Sequence, residues 1–200
     1  VLVACVKTGT LYGPEYVNRL VAMLARHTTK PHEVVCLTDD PTGVTCRVLH
    51  LEQQQLPGWW AKLDLFIPGL FTERVLYLDL DTVIRGNVDF LFEYDGPLAM
   101  LRSFLPPSSH GSAVMSFAPV HDYLYTDFTP DLLELYHGDQ DWISARAPAI
   151  DCWQDLVPGA IGSYKVDGLA DDPRGFPLVC FHGEPKPHQV DGWVRDAWRE

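Results

Sequence analysis

Two aspartates one residue apart, Asp79 and Asp81, follow the apolar run RVLYL. Side chains two positions apart on an extended chain point to the same side, so both carboxylates are expected at one edge of a sheet. Convergent carboxylate oxygens suit a hard cation, Mn²⁺ or Mg²⁺, which bridges diphosphate oxygens and stabilises a departing nucleoside diphosphate. A solvated acidic loop accounts for the same residues with no ligand at all. A second segment, FHGEPKP at 181–187, adds what such a site needs. His182 offers a neutral nitrogen to a metal, Gly183 permits close backbone approach, and Lys186 offers a phosphate contact.

Charge makes a cation more plausible. The chain of 200 residues has a formal net charge of −12, and no cluster of Lys and Arg that would follow a nucleic-acid backbone. The same negative field repels a diphosphate unless a cation or well-placed basic residues offset it. Charged residues make up 21% and apolar residues 46%, a balance that supports a folded core throughout. Five cysteines, odd in number and without C-x-x-C spacing, read as reduced and mostly buried thiols rather than a disulfide framework or zinc ribbon. No run of about 18 apolar residues marks a membrane span and no leader pattern is seen, so the expected location is cytoplasmic.

The elements that must position these groups alternate. Residues 1–6 and 33–38 are continuous apolar runs of the kind found in strands buried on both faces. Between them, Pro14 suits a first helical turn, and Val17, Leu20, Val21, Leu24 and Ala25 form one apolar stripe. A strand is expected at 46–51, a helix at 59–71 broken near Pro68 and Gly69, and a strand at 74–78 running into Asp79. Further strands are expected at 97–101, 113–117 and 178–181, and helices at 132–136, 140–146 and 190–198. This order predicts an α/β fold with a mixed, mostly parallel sheet flanked by helices, in one domain. Residues 1–102 form a nucleotide-binding half and 103–200 an acceptor half. Ligands of such sheets bind beyond the carboxyl ends of the strands, where the two aspartates fall.

Four motifs in order, ERVLYLDLDTVIRGNVDFLF, GSAVMSF, YHGDQDWIS and FHGEPKP, span most of the chain and resemble glycosyltransferase family 8. That family has the GT-A fold of nucleotide-diphospho-sugar transferases and uses UDP-sugars with retention of configuration. The resemblance implies Asp79, Asp81 and His182 as metal ligands, with Mn²⁺ or Mg²⁺ as cofactor. It places Gly183 and Lys186 on the diphosphate, and Lys62 where the family often has an Arg toward the donor. Thr8, Leu80 and Ser112 join the donor side, and Tyr12 is placed to stack on the uracil, with Tyr16 competing for that role. Asp139, Gln140 and Asp141 are the candidates at the reacting sugar, with a helix N-cap as the structural alternative for Asp139. Gly111 stands where the family usually has Asn, so the donor sugar is left open. The acceptor, a glycan, lipid or protein, is open too, because segments 105–110 and 166–176 carry no readable code.

Two other readings compete. The run from Leu78 to Val83 also resembles the first motif of haloacid-dehalogenase-like phosphatases, with Asp79 as nucleophile, Asp81 as acid/base, and Lys165, Asp171 and Asp172 as later partners. Against it, a strand, helix and strand precede the motif, and FHGEPKP is left unexplained. The third reading is a non-catalytic sugar-nucleotide or glycan-binding module, for which the six Trp supply stacking surfaces as readily as core.

Overall fold

The computed structural model describes residues 1–51, 56–171 and 175–200. The chain opens as expected with β1 (Leu2–Lys7), α1 (Pro14–His27), β2 (Glu33–Thr38) and β3 (Arg47–His50). After β4 (Val75–Leu78) come β5 (Thr82–Ile84), β6 (Leu98–Arg102) and β7 (His110–Phe117). Next are α2 (Tyr123–Thr126), α3 (Asp139–Arg146), β8 (Asp151–Cys152) and α4 (Trp153–Leu156). The chain closes with β9 (Ile161–Ser163), β10 (Leu178–Cys180) and α5 (Trp193–Ala197). The main sheet has the order β3-β2-β1-β4-β7-β6-β8, and β5-β10-β9 form a smaller one. The main sheet is mixed and mostly parallel, since only β7 runs antiparallel to its neighbours β4 and β6.

Alternation along the central strands explains the layers. Val3, Cys5, Leu76 and Leu78 face α1 and the small sheet, within one core that also holds Leu20, Leu24 and Val179. Leu2, Ala4, Val75 and Tyr77 face the other way, toward a core with Trp60, Leu63 and Trp142. Each central strand is therefore apolar on both sides, which is why it reads as an unbroken hydrophobic run.

Several expectations change. The segment expected as a helix at 59–71 is a 3₁₀ helix at Gly58–Phe66, because Trp60 through Phe66 are all buried and leave no polar stripe to organise an α-helix. The expected helix at 132–136 is a 3₁₀ turn at Pro130–Glu134, and the closing helix shortens to Trp193–Ala197. Asp139 is not the N-cap of α3. Gly138 is, and a Cβ there would lie 2.9 Å from Nε1 of the exposed Trp59 side chain, which would have to shift. Strands β5, β8 and β9 are additions of two or three residues each. All five cysteines are free, with Cys46 and Cys152 only half-buried. Trp60, Trp142, Trp153 and Trp198 belong to the cores, and Trp59 is exposed. Among the described residues no helix is long and apolar enough to cross a membrane.

Leu76 is fully buried in β4 between β1 and β7. Leu76→Ala should cost about 2–5 kcal/mol of unfolding free energy in urea titrations. A loss below about 1 kcal/mol would mean that β4 is not the packed centre of the sheet.

Candidate functional site

The segment Asp79-Leu80-Asp81 is where the chain leaves the main sheet for the small one. The Asp79 backbone N–H still bonds to Ala113 O of β7 at 2.8 Å, while Asp81 O accepts from Phe181 N, just past β10, at 3.1 Å. Between them Thr82 N–H closes a turn onto Asp79 O at 3.2 Å. Leu80 is buried in the core on the α1 side, which pins the turn. The extended alternation that would aim both carboxylates the same way therefore ends at Asp79, and the two acids acquire different surroundings.

Asp79 lies on the side of the 3₁₀ helix and α3. Its Oδ1 accepts from the Tyr77 hydroxyl at 2.6 Å and lies 2.9 Å from Lys62 Nζ. The Lys62 ammonium also donates to Ser112 Oγ at 2.9 Å and stands 3.8 Å from Asp139 Oδ2. Burial works against the Lys62 charge, but Asp139 and Asp79 more than offset it and hold its pKa above that of ordinary lysine. Asp139 is buried too, and despite Lys62 and Ser112 its carboxyl stays above the usual aspartate range, chiefly through desolvation.

Asp81 lies on the α1 side. Its Oδ2 is 2.5 Å from Lys186 Nζ and accepts from the Tyr12 hydroxyl at 3.0 Å. Burial and then the neighbouring charge of Asp79 push its carboxyl up, against the pull of Lys186 and Tyr12. Tyr12 is only half-buried, but Lys186 Nζ sits 5.3 Å from its ring centroid and the Tyr16 ring 4.6 Å away. Tyr16 is 3% exposed and hydrogen-bonded to His188, so it packs beneath the site rather than offering a stacking face.

The other expected residues fall into place unevenly. Ser112 joins the Lys62 cluster. Gly183 adopts φ +66°, a conformation only glycine takes freely, and a Cβ there would lie 3.0 Å from Lys165 Nζ. Thr8 is half-buried just after β1. Gln140 is half-buried, and its carbonyl accepts from Ser144 Oγ at 2.6 Å. Asp141 turns away from Asp139 and lines a cleft of about 370 Å³ with Ser108, Ser109, Tyr136 and Ser144. His182 is not gathered with the two aspartates: its Nε2 pairs with Ser163 Oγ at 2.7 Å and its ring stacks on Phe104. Among the described residues no three His, Cys, Asp or Glu side chains form a group that could hold a metal ion.

Carboxylate oxygens such as those of Asp79 and Asp81 are the donor type that a hard cation takes. Three carboxylates, Asp79, Asp81 and Asp139, share the site with the ammoniums of Lys62 and Lys186, which leaves an excess of acid. His182 directly follows the residue whose N–H bonds to Asp81 O, so its backbone is already adjacent. Burial and the charges of Lys165 and Lys186 lower its pKa and favour the neutral imidazole that ligation requires. Ligation by His182 and Asp81 would require the imidazole to leave Ser163 and the Lys186 ammonium to leave Asp81.

Lys165 lies against Gly183, Asp171 is exposed, and Asp172 lies outside the described residues. Sequence reading also missed the partners that orient the site. Tyr77 was readable from its position two residues before Asp79 on an alternating strand, whereas Ser163 and Phe104 carry no local signal.

Compared with solved structures, the chain superposes on the glycosyltransferase GlyE of Streptococcus pneumoniae TIGR4 with a TM-score of 0.70 and 20% identity. It covers 98% of this chain and 58% of that one. An active-site mutant of LgtC gives a TM-score of 0.71 at 10% identity, covering 98% of this chain and 93% of that one. The fold is that of the GT-A glycosyltransferases. The bifunctional glycosyltransferase WbbM matches with a TM-score of 0.66 at 14% identity, over 98% of this chain and 48% of its own. The chain thus spans little more than half of GlyE and about half of WbbM. No protein-family model matches the sequence, and no curated protein matches it. The phosphatase alternative finds no support among these neighbours.

Within this GT-A fold, the raised Asp139 carboxyl sets a sign for pH dependence. A carboxyl whose folded pKa is raised stabilises the fold fully below the unfolded value and loses that contribution as pH rises through the folded one. Relative to Asp139→Asn, the wild type should therefore lose unfolding free energy as pH rises above the ordinary aspartate value. Urea titrations across that range read the difference; a flat or rising difference contradicts the buried placement of Asp139.

Proposed function

We propose that the chain is a metal-dependent glycosyltransferase that moves a hexose from a UDP-sugar to an acceptor hydroxyl with retention of configuration. The observation that carries this reading is the crossing from one sheet to the other at Asp79-Leu80-Asp81, which sets two carboxylates beside Lys62 and Lys186 in a GT-A fold. LgtC, one of the neighbours, has been solved with donor and acceptor sugar analogues.

In this reading Asp79, Asp81 and His182 hold Mn²⁺ or Mg²⁺, which when bound neutralises charge on the leaving diphosphate. Lys186 donates to a diphosphate oxygen, and Gly183, which lacks a Cβ, lets the backbone approach it. Lys62 and Asp139, fixed on each other and on Ser112, hold hydroxyls of the donor sugar. The anomeric C–O bond to UDP breaks as the acceptor oxygen approaches on the same face, and the acceptor proton leaves with the diphosphate. Asp139 Oδ2 stands 3.8 Å from Lys62 Nζ and is buried without a hydrogen-bond partner, which leaves it able to accept from a sugar hydroxyl. Gln140 lies next to it at the start of α3. The cleft lined by Asp141, Tyr136 and three serines is the acceptor side, where hydroxyl and carboxylate groups match a glycan.

With Mn²⁺ present, the purified chain should hydrolyse or transfer from a UDP-hexose, and Asp81→Ala should lower the rate at least about a hundredfold. The released or transferred sugar should keep the anomeric configuration of the donor. Inversion contradicts the retaining reading. Binding without turnover would instead point to a silent sugar-nucleotide module.

A further inference from the structure

Asp81 Oδ2 is already in use. It takes the Lys186 ammonium at 2.5 Å and the Tyr12 hydroxyl at 3.0 Å, and the side chains of Lys186 and Asp81 are 12% and 11% exposed. The ammonium also lies 5.3 Å from the Tyr12 ring centroid, so aromatic carbon and carboxylate have replaced much of its water. A divalent cation ligated by that oxygen would meet a resident positive charge at contact distance. The two cannot share it.

The backbone that carries Lys186 is fixed, and a stem of four methylenes separates it from the ammonium. Lys186 N–H bonds to Gln189 Oε1 at 2.5 Å, and Gln189 N–H returns to Lys186 O at 2.9 Å. His188 is hydrogen-bonded to Tyr16, and Trp198 packs on Tyr16 at 4.7 Å and beneath the Arg19 guanidinium at 4.1 Å. Arg26 holds the carbonyls of Ala197 and Arg199, each at 2.9 Å. The closing segment is thus strapped to α1 at His188 and again at residues 197–199. Four methylenes allow the ammonium to change partners without moving that strap.

We propose that Lys186 is an internal counter-ion of Asp81 that competes with the divalent cation, so that the cation binds well only when a diphosphate draws the ammonium away. The inference rests on the metal-dependent reading above. It makes cation and nucleotide binding mutually reinforcing, because each favours the state in which Lys186 has left Asp81.

Titration of the full chain with Mn²⁺, alone and with UDP, with protein-bound Mn²⁺ counted by electron paramagnetic resonance, tests it. Wild type should bind Mn²⁺ weakly alone and tightly with UDP. Lys186→Met, which keeps the stem and removes the charge, should bind Mn²⁺ alone at least about tenfold more tightly than wild type. UDP should then tighten Mn²⁺ binding less than it does in wild type. Tyr12→Phe, which removes only the neutral donor, should tighten binding of Mn²⁺ alone by a smaller factor. If melting curves show that the Met variant does not fold, Lys186→Gln takes its place with the same expectation. Unchanged or weaker binding of Mn²⁺ alone by the Lys186 variant, with wild type still binding Mn²⁺ in the presence of UDP, overturns the inference and leaves the metal reading standing. No Mn²⁺ binding by wild type even with UDP sinks both.

Discussion

The site depends on one constraint: within three residues the chain must finish in one sheet and begin in another. Asp79 is held by β7, Asp81 by the end of β10, and Leu80 between them is buried in the shared core. The backbone bonds at both ends and the buried side chain in the middle leave the turn little freedom. Two like charges are thereby held near each other at the carboxyl edge of the sheet, where mutual repulsion and desolvation raise the cost of keeping both ionised. The neighbouring elements supply the compensation. The 3₁₀ helix brings Lys62 to one acid, and the strap to α1 brings Lys186 to the other.

Electrostatics then distinguishes the two sides. Lys62 is buried between Asp79 and Ser112, each at 2.9 Å, with Asp139 Oδ2 farther off at 3.8 Å. Lys186 has a long stem on an anchored backbone and pairs with Asp81 beneath an aromatic ring. On the proposal above, Lys186 is the lysine that changes partner. In a protein of net charge −12, local positive charge comes from few groups, and these two lysines are the ones paired with Asp79 and Asp81.

Much of the fold was legible because the central strands are buried on both faces and α1 has a single stripe; β2 was read to its residue limits. The 3₁₀ helix was not legible, since seven consecutive buried residues leave no period to read. Nor were β5 and β9, three-residue strands that exist only because β10 lies between them. Within the site, Asp79, Asp81, Lys62 and Lys186 could be picked out by type and order along the chain. Their partition onto two sides could not, because it depends on the turn at Leu80 and on hydrogen bonds to residues more than thirty positions away. His182 shows the same limit: its place at the end of a strand was readable, but its pairing with Ser163 arises from strand pairing in the small sheet.

The most direct test of the account is diffraction at the manganese absorption edge from crystals grown with Mn²⁺ and UDP. The account predicts one anomalous peak bounded by the carboxylates of Asp79 and Asp81 and the imidazole of His182, with the Lys186 ammonium moved onto the diphosphate. UDP bound with no such peak and Lys186 still paired with Asp81, or a peak that misses both aspartates, would contradict it.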